Sequence, residues 1–442
     1  MGEVSMEALL EKRELSERVY KKLCEVIPSG VNSPVRAFSG LEETPLVVSS
    51  GKEDVIVDVD GNSYIDYCCS WGALIHGHAQ EKILCATKER MEKGHTFGIT
   101  SEVEERLARE LVDSMDSLEK VRFVSSGTEA TMSAIRLARG YTKRDLIVKF
   151  VGNYHGHVDS LLVQAGSGVL NLTKSSSSEG IPNDFIKNTV SLHYNDLTAC
   201  RSLLRDQHYR DKIAAVILEP VAGNMGVVPP AQDFLETLRE ETEKIGALLI
   251  FDEVITGFRL SLRGAQGVYG VKPDITCFGK IIGGGFPAAA FGGRGEIMDY
   301  LAPSGPVYQA GTLSGNPVAM EAGLQALLLL KKKGFYRELE EKTNCITHPV
   351  KEALQRKNLQ ATLQQKGSMF TIFWGVKEVS SMLDLKNLNQ ALFRKFFRYL
   401  FRRGVYFPPS PYEACFVSSV HKFKHLEKTR DDILEFIEGL NS

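Results

Sequence analysis

Two charged residues in the middle of the chain are spaced for chemistry. The apolar run Ala247–Phe251 ends in Asp252 and Glu253, and a second run, Ile275–Phe278, ends in Gly279 and Lys280 just before Gly283–Gly285. Each run reads as a buried strand that delivers one charged group to the same edge of a sheet. Lys280 sits between apolar residues and glycines, unlike the charged run Lys331–Lys333. A desolvated lysine loses its proton more readily and exposes a nucleophilic amine. A lysine and a carboxylate so placed suit pyridoxal phosphate, because the amine can form a Schiff base and the acid can keep the pyridine nitrogen protonated. Taken singly, Lys280 also reads as an incidental strand-end lysine, and Asp252 as an N-cap or a surface acid.

Other segments add to the pair. Ser126-Gly127-Thr128 lies between a strand and a helix start, where backbone N–H groups, the helix dipole and hydroxyls can hold an anion; a plain N-cap is the alternative. Ala310–Pro317 repeats the pattern, with Asn316 as an N-cap, Pro317 as the first helical residue and Gly311-Thr312 ahead of them as phosphate donors. Tyr154-His155-Gly156-His157 follows the apolar run Leu146–Phe150. Either aromatic could stack on a flat ring at a strand's C-terminal edge. The two histidines also suggest a metal, but neither they nor His76/His78 have a third ligand at sensible spacing. Glu219–Asn224 ends another apolar run and places a carboxylate and an amide at the same edge. Nearer the N-terminus, Arg36 lies in a turn-rich segment and Trp71 in the Gly-rich connection Cys68–His78.

These groups need a scaffold. The chain has 442 residues, 43% of them hydrophobic and 24% charged, with a formal net charge of −2. That is ample for a large core plus a smaller domain, and no basic field argues for nucleic acid or an anionic membrane. The eight cysteines are scattered without a CxxC pair, which speaks against a disulfide framework or a structural zinc site. The N-terminal residues alternate acids and bases without an apolar h-region, and no apolar stretch reaches membrane-spanning length. We therefore expect a cytoplasmic protein.

Residues 5–26 read as an amphipathic helix and Val55–Tyr67 as a hairpin about Asp60-Gly61-Asn62. From about residue 79, short apolar strands alternate with helices, which implies an α/β fold with a mostly parallel sheet covered on both faces. The segment 164–184 lacks periodicity and reads as a lid. A smaller α+β pattern follows Leu330. The expected division is an N-terminal helix and β-meander segment at 1–75, a large α/β domain at 76–326 and a C-terminal α+β domain at 327–442.

The segments GVNSPVRAF, SWGALIHGHA, SSGTEATMSAIRLARG, YHGHVD, EPVAGNMG, DEVITGFR, GKIIGGGFP, QAGTLSGNP and YEACFVSSVH together resemble the class III, fold-type-I pyridoxal phosphate aminotransferases. Within that family the resemblance is to the aminomutases, and it runs from about residue 13 to 440. It implies a homodimer with the site at the subunit interface. Lys280 would carry the cofactor, Asp252 would pair with the pyridine nitrogen, and Val254 and Tyr154 would lie on the two faces of the ring. Ser126, Gly127 and Thr128 would bind the phosphate, with Thr312 reaching it from the partner subunit, and Asn224 would lie near the ring hydroxyl. Arg36 would hold a substrate carboxylate with Trp71 nearby, and Glu413 would sit close to the reacting amines. The 164–184 loop would gate the site through Ser167. The implied reaction moves an amino group within glutamate-1-semialdehyde to give 5-aminolevulinate for tetrapyrrole (porphyrin) synthesis, cycling the cofactor with pyridoxamine phosphate. A transient contact with the enzyme that makes the semialdehyde is a further expectation. The chain departs from the family at Ser125, at Pro411-Tyr412 and across the gating loop, where it reads VLNLTKSSSSEG.

Overall fold

The computed structural model describes residues 13–164, 175–176 and 178–440. Ser167 and most of the expected lid lie outside the described residues. The chain divides into two compact units, one of Met1–Glu81, Gly334–Glu378 and Asp384–Ser442, the other of Lys82–Lys333 and Val379–Leu383.

The larger unit is built on a seven-stranded sheet. Its strands are β1 (Lys120–Val124), β2 (Leu146–Val151), β3 (Thr189–His193), β4 (Ile213–Leu218), β5 (Leu248–Asp252), β6 (Ile275–Phe278) and β7 (Ala289–Gly293). Their spatial order is β1-β7-β6-β5-β4-β2-β3. The central strands β4, β5 and β6 are buried at every position, as a sheet covered on both faces requires. Adjacent pairs from β3 to β6 run parallel, whereas β7 runs antiparallel to both β6 and β1. Three consecutive parallel strands thus end level: Leu218 pairs with Phe251 and Asp252 with Cys277. The next residues out of β4 and β6 are Glu219 and, after Gly279, Lys280. Helix α1 (Gly127–Thr142) contributes Ala130, Ala134, Leu137 and Ala138 to the core under this sheet.

The smaller unit joins both ends of the chain. Val48–Lys52, Val55–Asp58 and Ser63–Asp66 form an antiparallel meander, and the two-residue strand Val405–Tyr406 adds to it in parallel, Val405 opposite Ile65. Asp58 caps the expected hairpin turn, its Oδ1 accepting from the Asp60 and Asn62 amides at 3.0 and 2.8 Å. A second sheet pairs Ala361–Lys366 with Met369–Trp374 and then Cys415–Phe416. Among the described residues no helix is long and apolar enough to cross a membrane.

One buried group makes this unit acid-sensitive. His421 is 1% exposed, and its Nδ1 accepts from the Ser418 amide at 3.0 Å. Burial pushes its pKa down to about 4 against the opposing charges of Asp54 and Asp66. The folded value lies below the ordinary histidine value of about 6.5, so the unfolded chain takes up the proton first. The His421 contribution is therefore fully present above about pH 6.5 and is lost as pH falls toward about 4, a change of up to about 3 kcal/mol. His421→Asn keeps an acceptor for Ser418. Urea titrations across this pH window should show a shallower loss of stability in the variant than in the unaltered protein.

Candidate functional site

The three strand ends supply the chemical groups. Asp252, the last residue of β5, is 4% exposed. Its Oδ1 accepts from the Val254 amide at 3.1 Å, and its Oδ2 lies 2.7 Å from Nδ1 of His155. Burial keeps the His155 pKa below its usual value, and the Lys149 charge works in the same direction, although Asp252 opposes both. A neutral imidazole facing a carboxylate carries its hydrogen on the facing nitrogen, so His155 donates and orients Asp252. Its neighbour Glu253 turns the other way, as successive residues at a strand end do. Glu253 accepts from the amides of Ala265 and Gln266 and from Thr256, a purely internal role.

Lys280 follows β6 in a left-handed conformation, φ +49°, where a side chain is strained. It is neither fully buried nor fully exposed. The preceding Gly279 is closely packed, since a Cβ there would stand 3.1 Å from a Val254 methyl. A Cβ at Gly127 would stand 3.2 Å from both Val254 methyls. Val254 therefore forms an apolar floor between the start of α1 and the loop that carries Lys280.

At the start of α1, Ser126 and Glu129 form a capping box, with Ser126 Oγ accepting from the Glu129 amide at 3.2 Å. The helix-cap reading of this segment is met by the Ser126 lone pair, and the first amides of α1 have no partner within the helix, as at any helix N-terminus. The 152–158 loop closes over it. A Cβ at Gly156 would lie 2.4 Å from Thr128 Oγ1, and that oxygen accepts from the His157 amide at 3.3 Å. Tyr154 is 49% exposed, and burial followed by the Asp252 charge pushes its hydroxyl pKa up. Glu219 receives the Tyr154 amide at 2.8 Å and the Gly223 amide at 2.7 Å, and hydrogen-bonds the Asn224 side chain. Asp252, Val254, Gly127, Thr128, Tyr154, Asn224 and Lys280 thus belong to one locality.

Asn316 caps the helix Pro317–Leu330 as expected, accepting from the Val318 and Ala319 amides at 3.0 and 3.1 Å. Thr312 is exposed just before it. The stretch leading to Thr312 is fastened by Arg122, which donates to Gln309 and the Ala302 carbonyl, and by Arg136, which donates to the Tyr308 carbonyl.

Arg36, Trp71 and Glu413 belong to the smaller unit. Arg36 lies in the short turn Pro34–Ala37, and its charge acts on the phenol of Tyr406. Trp71 adopts φ +59°, and the next residue, Gly72, has no room for a Cβ, which would meet Phe416 at 2.7 Å. Burial raises the thiol pKa of Cys68 well above its usual value, and Asp66 and Glu413 push the same way. Trp71 and Glu413 are thus both neighbours of Cys68, since the Trp71 backbone also hydrogen-bonds its thiol.

The sequence reading missed His155 as the partner of Asp252, and missed Lys149 entirely. A usable signal was present for His155: it stands beside Tyr154 in the YHGH segment that follows the apolar run Leu146–Phe150.

Comparison with known proteins places the chain. The family described as aminotransferase class-III matches residues 38–418. A protein of Protochlamydia amoebophila (strain UWE25) named glutamate-1-semialdehyde 2,1-aminomutase is 58% identical over 96% of this chain and 99% of that one. Among solved structures, an omega-transaminase from Sphaerobacter thermophilus is 32% identical with a TM-score of 0.89, covering 97% of this chain and 98% of that one. A transaminase with PLP bound is 29% identical with a TM-score of 0.87, covering 96% of this chain and 97% of that one.

Proposed function

The chain belongs to the class III aminotransferase family, and on that premise we propose that it is a pyridoxal phosphate-dependent aminomutase converting glutamate-1-semialdehyde to 5-aminolevulinate. The observation that carries the reading is the 58% identity over nearly the full length to a protein of that name, against 32% to an omega-transaminase of the same fold. An omega-amino acid:2-oxo acid aminotransferase is the second reading.

The residues fit the cofactor. The amides at the start of α1 suit a phosphate. Val254, held between Gly127 and Gly279, offers an apolar face to a flat ring, and the buried Asp252 offers a carboxylate to a ring nitrogen. When bound, pyridoxal phosphate supplies an electron sink for bonds broken at the substrate carbon. Lys280 Nζ holds the cofactor and then moves protons at the reacting carbons. Asp252, oriented by His155, would supply the carboxylate that favours a protonated ring nitrogen, and Val254 and Tyr154 would hold the ring. Gly127 and Thr128, with Ser126, would hold the phosphate, and Asn224 would lie near the ring hydroxyl. Arg36 would bind the substrate carboxylate with Trp71 nearby, and Glu413 would lie close to the substrate amines. Substrate and product are isomers, so the reaction consumes no second substrate.

The functional assembly in this reading is a cytoplasmic homodimer. Exposed Tyr308 and Leu313, at 71% and 58%, flank Thr312 and support a second copy covering this edge, with Thr312 completing its partner's phosphate site. The unstable aldehyde favours a transient contact with the enzyme that produces it.

Arg36→Leu removes the carboxylate anchor. It should lower kcat/KM for the semialdehyde about 100-fold, mostly through KM, while the visible spectrum of the bound cofactor is retained. A variant with unchanged KM would remove Arg36 from the substrate site.

A further inference from the structure

We infer that Glu219 is a positioning residue for this site, a single buried carboxylate that locks the ring-stacking loop and the Asn224 loop into one register, with Lys149 as its counter-charge. The inference rests on the cofactor reading above and adds to it a residue with no contact to substrate.

Glu219 follows β4 and is 2% exposed. Its two oxygens serve different loops, Oε1 accepting from the Tyr154 amide at 2.8 Å and Oε2 from the Gly223 amide at 2.7 Å. Its own amide donates to Asn153 Oδ1 at 2.9 Å, so the 153–154 segment is tied to this residue twice. Only an ionised carboxylate presents two separate acceptor oxygens and no donor to such a pair of N–H groups. Lys149 is 5% exposed on β2 and donates to the Leu161 carbonyl at 2.8 Å. Burial brings its pKa down to about 8, with the Glu219 charge opposing. Burial and the Asp252 charge bring Glu219 up to about 7. Asp252 and Glu219 therefore sit as two carboxylates at neighbouring strand ends, and the Lys149 charge works against protonation of Glu219. Its charge also favours the neutral form of His155. Catalytic rates are sensitive to displacements of about 1 Å, so a clamp on both loops has leverage on the reaction without touching it.

Glu219→Gln tests the clamp, because an amide has one acceptor oxygen and turns its NH₂ toward the second amide. The expected result has three parts, read with pyridoxal phosphate alone as the ligand. The dissociation constant of the cofactor rises about tenfold or more, since one of two charge-assisted hydrogen bonds holding its contacts is lost. Amide exchange quickens in peptides covering 151–158 or 220–226 while the rest of the sheet is unchanged. The melting temperature of the cofactor-free protein falls slightly, because one backbone amide loses its acceptor, so weaker cofactor binding together with faster exchange confined to these loops is the mark of the clamp. Lys149→Met approaches the same tie from the other side: without the cation Glu219 takes up a proton and one oxygen becomes a donor, so the cofactor again binds more weakly. Unchanged cofactor affinity and unchanged local exchange in both variants would overturn the proposal. So would a lower cofactor-free melting temperature with normal affinity, the mark of a structural role only. None of these readouts uses the semialdehyde, so they are independent of whether the protein is a mutase.

Discussion

Lys280→Ala should lower turnover by about 10⁴-fold or more, because one amine serves both as covalent anchor and as proton carrier. Borohydride reduction of the unaltered protein loaded with pyridoxal phosphate should leave a pyridoxyl group on the peptide containing Lys280. The variant should carry none there and should still bind the cofactor reversibly, since the amides of α1, Val254 and Asp252 are intact. Alanine tolerates the φ of +49° no worse than lysine does, so the backbone should hold. Trapping on another lysine would refute the assignment. So would a variant with near-normal turnover.

Asp252→Asn should cost about 10²–10³-fold in kcat, the range for removing one preorganised charge from a developing-charge site. The fold should survive, because asparagine Oδ1 can still accept from the Val254 amide, and His155 can move its hydrogen to Nε2 so that Nδ1 accepts from the asparagine NH₂. The loss arises because a neutral amide no longer favours a proton on the ring nitrogen. Loading the variant with an N-methylated cofactor, whose nitrogen is permanently cationic, should restore part of the rate. Activity within a few-fold of the unaltered protein, or no gain from the methylated cofactor, would show that Asp252 acts otherwise.

The central strands were legible for a physical reason. Ala247–Phe251 and Ile275–Phe278 are unbroken apolar runs, and only strands covered on both faces read that way. Their ends fall where the runs stop, so Asp252 and Lys280 were placed at the edge without coordinates. The direction of β7 was not legible, because Ala288–Phe291 is equally apolar whether its neighbours run parallel or antiparallel. Nor was the union of the chain's two ends in the smaller unit: Val405–Tyr406, which pairs with Ser63–Asp66, is too short to leave a pattern. Glu219 was recognised as an edge carboxylate, but its partners come from loops at Tyr154 and Gly223, and hydrogen bonds to backbone amides leave no mark on composition. Arg36 and Glu413 stood out only through resemblance, since a lone arginine in a turn and a lone glutamate after Tyr412 carry no periodic signal.

Asp252 and Lys280 are compatible with both readings of the chemistry, and the separation lies in what the reaction consumes. The decisive assay gives purified protein loaded with cofactor glutamate-1-semialdehyde as sole substrate, with no 2-oxo acid added, and follows 5-aminolevulinate over many turnovers. A mutase yields one 5-aminolevulinate for each semialdehyde consumed and needs no acceptor. If product formation stops within one turnover per site and resumes only when a 2-oxo acid is supplied, the protein is an aminotransferase and the mutase account is wrong.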